Sequence, residues 1–178
     1  MACGKTTLGE ALSKRLNIDF VDLDVYVEST KKMSINRIFE LYGEAEFRRI
    51  ESEILDDLIN EWKDKAVIVA LGGGTPCRPG AMEKLNAAGL TVFLKSTIER
   101  IIERLMENPS NRPLVRDMTP GKLSEYVESK LSERMPWYEK ACVSFDSSRL
   151  ENEAEIAESV DKFIVMLSHN GRPSEIES

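Results

Sequence analysis

The chain has 178 residues, of which 42% are hydrophobic and 31% are charged, and its formal net charge is −7. These proportions suit one globular domain with a sizeable core, and the acidic balance argues against a general nucleic-acid binder. No apolar run approaches the length of a membrane span, and the N-terminus lacks the charged-then-apolar layout of a signal peptide. The composition leaves room for a local basic pocket that binds anions.

The chain has three widely spaced cysteines and a single histidine, His169, and these counts limit the metal sites and catalytic mechanisms open to it. The odd number of cysteines suits reduced thiols, so we expect a cytoplasmic protein with no disulfide framework and no zinc site. His169 lies in a polar tail, which all but excludes histidine-based nucleophilic catalysis and histidine-ligated metals. Catalysis must then use carboxylates, Lys, Arg, backbone amides and a hard metal ion.

The chain opens on a stretch, Met1–Thr7, that matches the second half of a phosphate-binding loop. Apolar residues at helical spacing follow it. Gly4 lets the backbone pass close to a phosphate, Lys5 places a charge beside the β and γ phosphates, and Thr6 can hold Mg²⁺. A polar helix cap would also explain so short a motif, so its interpretation depends on the rest of the chain.

Predicted strands and helices alternate along the chain. The strands are predicted at 18–22, 67–71, 90–94 and 141–145. The helices are predicted at 34–42, 44–62, 79–88, 97–106, 120–140 and 151–167. The continuous apolar runs in the second and third strands are typical of buried parallel strands. We therefore predict a single parallel α/β domain spanning 1–178, with ligands at the carboxyl ends of its strands.

Polar motifs follow the first two strands. Asp22 and Asp24 end the first, where strand alternation directs both carboxylates the same way, so they can serve a metal and a substrate hydroxyl together. Three glycines, Gly72–Gly74, end the second strand. Ordering three glycines costs conformational entropy, so we expect a reason for them, and close approach of the backbone to a ligand is one. A solvated strand end and a plain turn are the simpler alternatives.

Four arginines sit where an anion could meet them. Arg48 and Arg49 lie near the start of a predicted helix, where cations are disfavoured, so one of them should have an anionic partner. Arg112 lies in a polar segment with two prolines, 107–119, which we predict to be a mobile loop. Arg134 lies at an aromatic-rich helix end, where a salt bridge is the ordinary explanation.

Together these motifs resemble the shikimate kinase family over nearly the whole chain, from Ala2 to about Val165. Each motif is common alone, but six in family order with workable spacing are specific. The six are Gly4-Lys5-Thr6, Asp22/Asp24, Gly43-Glu44/Phe47-Arg48/Glu51, Gly72–Gly74, Arg112-Pro113-Leu114 and Arg134/Tyr138. The resemblance implies a three-layer α/β/α P-loop kinase fold and ATP- and Mg²⁺-dependent phosphorylation of the shikimate 3-hydroxyl. It also implies a monomer that binds neither nucleic acid nor membrane.

The family pattern assigns the nucleotide side to matching positions. Lys5 would contact the β and γ phosphates, and Thr6 would ligate Mg²⁺ together with Asp22, the latter usually through water. Arg112 would close over the transferring phosphate as part of the lid at 107–119, and Arg104 would stack on adenine. The other residues of the nucleotide-binding loop would be Ala2, Cys3, Gly4 and Thr7.

The family pattern also assigns the acceptor side. Asp24 would hold the attacking hydroxyl and accept its proton, as a well-placed carboxylate can. Arg48 and Arg134 would grip the shikimate carboxylate, and two arginines can bind such a group bidentately. The segment Gly72, Gly73 and Gly74 would line the same substrate, which the helices within 25–62 would enclose. The tail, 168–178, should be disordered.

The chain departs from the family at its beginning. Ala2 stands where the family has the middle glycine of its loop, and neither the first glycine nor the preceding strand is present. In the family that strand lies between the strands predicted here at 67–71 and 90–94, so both should show unpaired edges. We therefore expect Met1 to be an internal methionine of a longer protein, and the activity of the chain as it stands is in question.

Two other functions are compatible with parts of the pattern. A related small-molecule kinase, such as one for gluconate, would share the phosphate loop but not the set of arginines and glycines. A non-catalytic P-loop protein that binds only nucleotide would explain the defective N-terminus. A substrate panel separates the first alternative, and ATP affinity without turnover would favour the second.

Overall fold

The structure is a computed structural model that describes residues 2–107 and 118–170, the last two as backbone only. In this part of the chain four strands alternate with seven helices. The strands are β1 (Asp19–Asp22), β2 (Val67–Ala70), β3 (Val92–Lys95) and β4 (Val143–Asp146). The helices are α1 (Lys5–Leu16), α2 (Leu23–Lys31), α3 (Ile35–Glu61), α4 (Ala81–Ala88), α5 (Ile98–Glu107), α6 (Pro120–Tyr138) and α7 (Glu153–Asn170). None of the helices described is long and apolar enough to cross a membrane.

The strands pair in two parallel couples. β1 pairs with β2, with Asp19 opposite Val67, and β3 pairs with β4, with Val92 opposite Val143. Within the described residues no ladder joins β2 to β3, so the strands form two two-stranded sheets with the unpaired edges expected for these strands. The prediction that both apolar runs are fully buried is wrong. Apart from Ala70 their strand residues are half-buried or exposed, because a strand paired on one edge lacks a neighbour on the other.

Helices pack on both faces of the strands. On one face, α1 and α7 share a buried cluster that includes Leu8, Leu12 and Phe163, and Ile68 of β2 and Leu94 of β3 both pack against it. The two sheets therefore rest on one helical layer. A second cluster joins α2, α3 and α4, and a third joins α5 and α6. The result is the predicted three-layer α/β/α arrangement.

The largest difference from the predicted elements lies at the end of β1. Asp22 is the last strand residue, and it caps a helix that was not predicted, α2, by accepting a hydrogen bond from the Asp24 amide at 3.1 Å. Asp24 therefore belongs to the first turn of α2 and not to a strand. The expectation that strand alternation aligns the two carboxylates is wrong, because the capping aspartate ends the extended backbone there.

Other boundaries agree closely with the sequence. The two helices predicted at 34–42 and 44–62 form one span, α3, whose backbone leaves the helical region only at Gly43, with φ 78° and ψ 174°. Ser34 caps it, accepting from the Arg37 amide at 3.2 Å. At the other end of the chain α7 runs to Asn170, so 168–170 are helical and not part of a disordered tail. Residues 171–178 and most of the predicted lid, 108–117, lie outside the described residues.

Candidate active site

The phosphate loop leads directly into α1. Gly4 adopts a left-handed conformation, φ 82°, and no side chain caps the helix. A Cβ at Gly4 would also force the Leu150 side chain to shift, but the positive φ is the stronger reason for glycine there. The first amides of a helix have no acceptor within it, and together with the dipole they favour an anion. Lys5 is half-buried beside them, whereas Thr6 and Thr7 are exposed.

A hydroxyl and a carboxylate meet next to this loop. Thr6 Oγ1 donates to Asp22 Oδ2 at 3.0 Å, while Asp22 Oδ1 caps α2. Mg²⁺ binds hard oxygen ligands and usually takes one or two from protein, completing its shell with water and phosphate oxygens. The described residues contain no cluster of three or more acidic, Cys or His side chains that would form an all-protein cage. The donor set of Thr6 and Asp22 therefore fits Mg²⁺ held partly by a nucleotide.

Asp24 lies between the phosphate loop and the glycine segment. Burial raises the pKa of its carboxyl, as do the charges of Asp22 and Glu51, while the charges of Lys5 and Arg48 oppose the rise. A Cβ at Gly72 would lie only 3.0 Å from Asp24 Oδ1, so the absence of a side chain at Gly72 makes room for this carboxyl. The charges of Lys5 in the phosphate loop and of Arg48 near the glycine segment therefore both act on Asp24.

Arg48 projects from α3 toward the glycine segment. Its Nη1 donates to Glu51 at 3.0 and 3.2 Å, and its Nη2 lies 3.5 Å from the exposed Glu44. The guanidinium stacks over the Phe47 ring at 5.0 Å and would collide with a Cβ at Gly74. The expected anionic partner near the helix start is confirmed.

Arg49, the second arginine in that turn, faces away from the site. It pairs with Glu46 and Glu53 on the exposed side of α3. Both arginines therefore have acidic partners, but only Arg48 reaches the glycine segment.

A buried polar cluster behind Arg48 was not predicted as part of the site. Glu51 and Thr75 are both 0% exposed, and Thr75 Oγ1 donates to Glu51 Oε1 at 2.7 Å. Arg78 Nη1 donates to the Arg48 carbonyl at 2.9 Å, and Arg78 Nη2 lies 3.9 Å from Glu51 Oε2. One signal could have identified Glu51, because it interrupts the apolar stripe of α3 formed by Phe47, Ile54, Leu55 and Leu58.

The end of α6 is tied to the same glycine segment. The Tyr138 hydroxyl donates to the Gly73 carbonyl at 2.7 Å, and its ring packs against Phe93 at 5.1 Å. Burial raises the pKa of Tyr138, and the neighbouring Arg134 opposes that rise through its charge and a hydrogen bond. The charges of Arg134 and Arg48 also both oppose the burial that raises the pKa of Cys77. The charges of the two predicted substrate arginines therefore both reach the Cys77 thiol.

Arg104 is held by several partners near the end of α5. It is paired with Glu151 at 2.6 Å and donates to the carbonyls of Ala2, Ser147 and Ser148 at 3.1 to 3.4 Å. It therefore connects α5 to the phosphate loop and to the segment after β4. Adenine stacking by Arg104 stays a prediction. Arg112 lies outside the described residues.

Known proteins are similar to this chain in sequence and in fold. The family model for shikimate kinase matches residues 1–165. A shikimate kinase from Azobacteroides pseudotrichonymphae genomovar. CFP2 is 41% identical over 145 residues, which are 82% of this chain and 84% of that protein.

Solved structures show the same likeness. The crystal structure of shikimate kinase from Bacteroides thetaiotaomicron matches with a TM-score of 0.90 at 33% identity, covering 94% of each chain. Shikimate kinase from Acinetobacter baumannii, solved in complex with shikimate, matches with a TM-score of 0.80 at 29% identity, covering 96% of this chain and 90% of that one. Sequence motifs, fold and relatives agree, and the chain belongs to the shikimate kinase family.

Proposed function

We propose that this protein transfers the γ-phosphoryl group of ATP to the 3-hydroxyl of shikimate, with Mg²⁺ as the metal ion. One observation carries the proposal beyond family membership. Asp24 lies next to Gly72, and the charges of both Lys5 and Arg48 act on its carboxyl. One carboxyl therefore lies between the phosphate-binding loop and the arginine beside the glycine segment. A kinase that acts on a hydroxylated acid needs this arrangement.

The phosphate side supplies positioning and positive charge. The open amides at the start of α1 and the Lys5 ammonium would hold the β and γ phosphates of ATP. Thr6 and Asp22 would hold Mg²⁺, which neutralises charge on the phosphate oxygens when it is bound. Phosphoryl transfer needs little covalent help from the protein, so these contacts account for most of its task there.

Asp24 handles the acceptor hydroxyl. The 3-hydroxyl oxygen forms its bond to the γ phosphorus as the bond to the ADP oxygen breaks, and its proton passes to a carboxylate oxygen of Asp24. The raised pKa of Asp24 makes it a stronger base than an ordinary aspartate, and a group poised in this way contributes about 10²–10⁴ in rate.

The carboxylate of shikimate would be held by Arg48 and Arg134. The charges of both arginines act on Cys77, and the nearby Gly73 carbonyl accepts a hydrogen bond from the Tyr138 hydroxyl. A ring acid gripped here presents its hydroxyls toward Asp24, across the space left by Gly72. Arg112 would act over the transferring phosphate, a role carried by its position in the family motif alone.

The direct test is product formation from ATP and Mg²⁺. Shikimate, gluconate and other hydroxy acids are offered in parallel, and phosphorus NMR identifies the product. We expect 3-phosphoshikimate from shikimate and no product from gluconate. Phosphorylation of gluconate instead would support the related kinase, and ATP binding without turnover on any acid would support a nucleotide-binding protein.

A further inference from the structure

The buried carboxylate of Glu51 has a cation on two sides. Arg48 bonds it from within α3, and Arg78 approaches it from the turn before α4, 3.9 Å away. We propose that Arg78 is a positioning residue for the acid-binding pocket: it shares the charge of Glu51 and fixes the Arg48 backbone, which keeps part of the Arg48 guanidinium available to the substrate carboxylate. This inference rests on the proposed function.

The charge of Glu51 needs compensation inside the protein. Glu51 is fully buried, and a buried carboxylate with too little compensation costs several kcal/mol, so it holds strongly to any cation in reach. With Arg48 as the only cation, Glu51 and the substrate would compete for the same guanidinium. Arg78 places a second positive charge on the side of Glu51 Oε2, while Thr75 bonds Oε1. Glu51 therefore attracts the Arg48 guanidinium less strongly than it would without Arg78.

The Arg48 guanidinium keeps donors for a ligand. Arg48 uses Nη1 for Glu51, and its Nη2 makes only a long contact with an exposed carboxylate, Glu44. A guanidinium has five N–H donors, so Arg48 has donors left for a ligand after these contacts, and its close packing against Gly74 fixes where the guanidinium lies. Arg78 Nη1 donates to the main-chain carbonyl of Arg48 and so fixes the point from which that side chain extends.

One atom of Arg78 is buried without a partner. Arg78 Nε has no hydrogen-bond partner among the described residues. Burying an unpaired donor is costly, and each such group in a native structure calls for an explanation. An apolar side chain at this position would pack without this cost. It would not supply the positive charge that Arg78 places near Glu51.

The test measures shikimate binding by calorimetry without nucleotide and steady-state kinetics with ATP. Arg78→Gln should weaken shikimate affinity and raise the shikimate KM about tenfold, the loss of one charge-assisted contact, while kcat and the ATP KM stay unchanged. Arg78→Lys, which keeps the charge but not the planar fork, should fall between Gln and wild type. If Arg78→Gln does not fold, Arg78→Lys carries the test with the same expected direction.

A matched control separates this role from simple cross-linking. Lys84 at α4 also pairs with a residue of α3, Asp56, but the pair is exposed and outside the site. Lys84→Gln removes a link from α4 to α3 that lies close along the chain to the link made by Arg78 but outside the site, so it should leave shikimate affinity unchanged. An equal loss in Lys84→Gln and Arg78→Gln would overturn the proposal, because it would show a general effect of loosening α4.

The coupling to Arg48 gives the sharpest readout. If Arg78 acts through Arg48, then Arg48→Ala/Arg78→Gln should bind shikimate no more weakly than Arg48→Ala alone. A carboxamide analogue of shikimate should bind wild type and Arg78→Gln equally. Additive losses, or an unchanged shikimate affinity in Arg78→Gln when wild type is active, would refute the inference and leave the proposed function standing. Absence of shikimate binding and phosphorylation in wild type would refute both.

Discussion

The two halves of the site are built differently. On the acid side, Arg48, Glu51, Thr75 and Arg78 form a cluster whose carboxylate and hydroxyl are 0% exposed. On the phosphate side, Thr6 and Asp22 share one hydrogen bond near the surface, and Lys5 is half-buried. The acid side is therefore a network held together by the protein's own buried contacts, whereas the phosphate side consists of more exposed groups with a single hydrogen bond between them.

This difference predicts where function and stability are coupled. Changes on the acid side disturb a buried charge network and should cost both folding free energy and substrate binding. Changes on the phosphate side affect exposed or half-buried groups that belong to no buried charge network, so they should cost turnover with little effect on melting. The following substitutions test that contrast, beginning with the largest expected effect.

Lys5→Ala should abolish turnover and leave the melting temperature unchanged, because it removes the charge beside the β and γ phosphates but no buried contact. ADP release and thermal melting measure the two effects. Lys14→Ala, an exposed lysine on the same helix, is the control and should be active. Near-wild-type turnover in Lys5→Ala would remove the basis for the phosphate-loop assignment.

Asp24→Asn should lower kcat by about 10²–10⁴, since it preserves the shape of the proton acceptor and removes its charge. In wild type, kcat/KM should fall as pH is lowered through the raised pKa of Asp24, and the variant should lack this acid limb. A loss of less than about tenfold would rule out Asp24 as the base.

The same substitution should not lower stability at neutral pH. Because folding raises the pKa of Asp24, the folded state holds that proton more tightly, and stability is lost as pH rises through the raised pKa. Asp24→Asn removes this penalty, so it should melt no lower than wild type at pH 7. A clear drop in melting temperature would contradict the separation of function from stability on this side.

Glu51→Ala should destabilise the fold by about 3–5 kcal/mol, because it leaves two buried or half-buried guanidinium groups without their carboxylate. Urea denaturation measures the change. Glu53→Ala, which removes an exposed partner of Arg49 on the same helix, is the control and should cost about 0–1 kcal/mol. Equal small losses in the two variants would mean that the cluster is not the buried network described here.

Arg134→Ala should weaken shikimate binding by about 1.5–3 kcal/mol, or one to two decades, and spare ATP binding. Calorimetry with each ligand gives both values. Lys130→Ala, one turn earlier on α6 and paired with the exposed Glu133, should change neither. Equal loss of ATP affinity in Arg134→Ala would assign this arginine to the nucleotide or to the fold.

The sequence was sufficient for features that depend on local spacing. Helix periodicity, the Ser34 cap and the break at Gly43 are local, and so is the turn from the phosphate loop into α1. α2 was missed because the alternation of polar and apolar residues in Asp22-Leu23-Asp24 is compatible with an extended strand, while the capping bond that ends the strand depends on side-chain geometry. The half-exposure of β2 and β3 is not indicated by their hydrophobicity, but it fits the unpaired edges that the family pattern predicts for them.

The residues of the site that belong to sequence motifs were predictable, and the residues that pack behind them were not. Arg48, Asp24 and the glycine segment belong to recognisable motifs. Thr75 and Arg78 form hydrogen bonds to residues 24 and 30 positions earlier in the chain, and no local sequence pattern predicts such pairs. Glu51 belongs to the same motif as Arg48, and a charge within an apolar stripe of a helix also indicates a buried partner.

The most direct test of the contrast is a crossed titration. Shikimate without nucleotide and MgATP without shikimate are each titrated into wild type, Lys5→Ala and Arg48→Ala. An acid side held together by the protein's own contacts predicts that Lys5→Ala binds shikimate as wild type does but loses MgATP, and that Arg48→Ala does the reverse. Loss of both ligands in either variant, or no shikimate binding by wild type until nucleotide is added, would contradict the account.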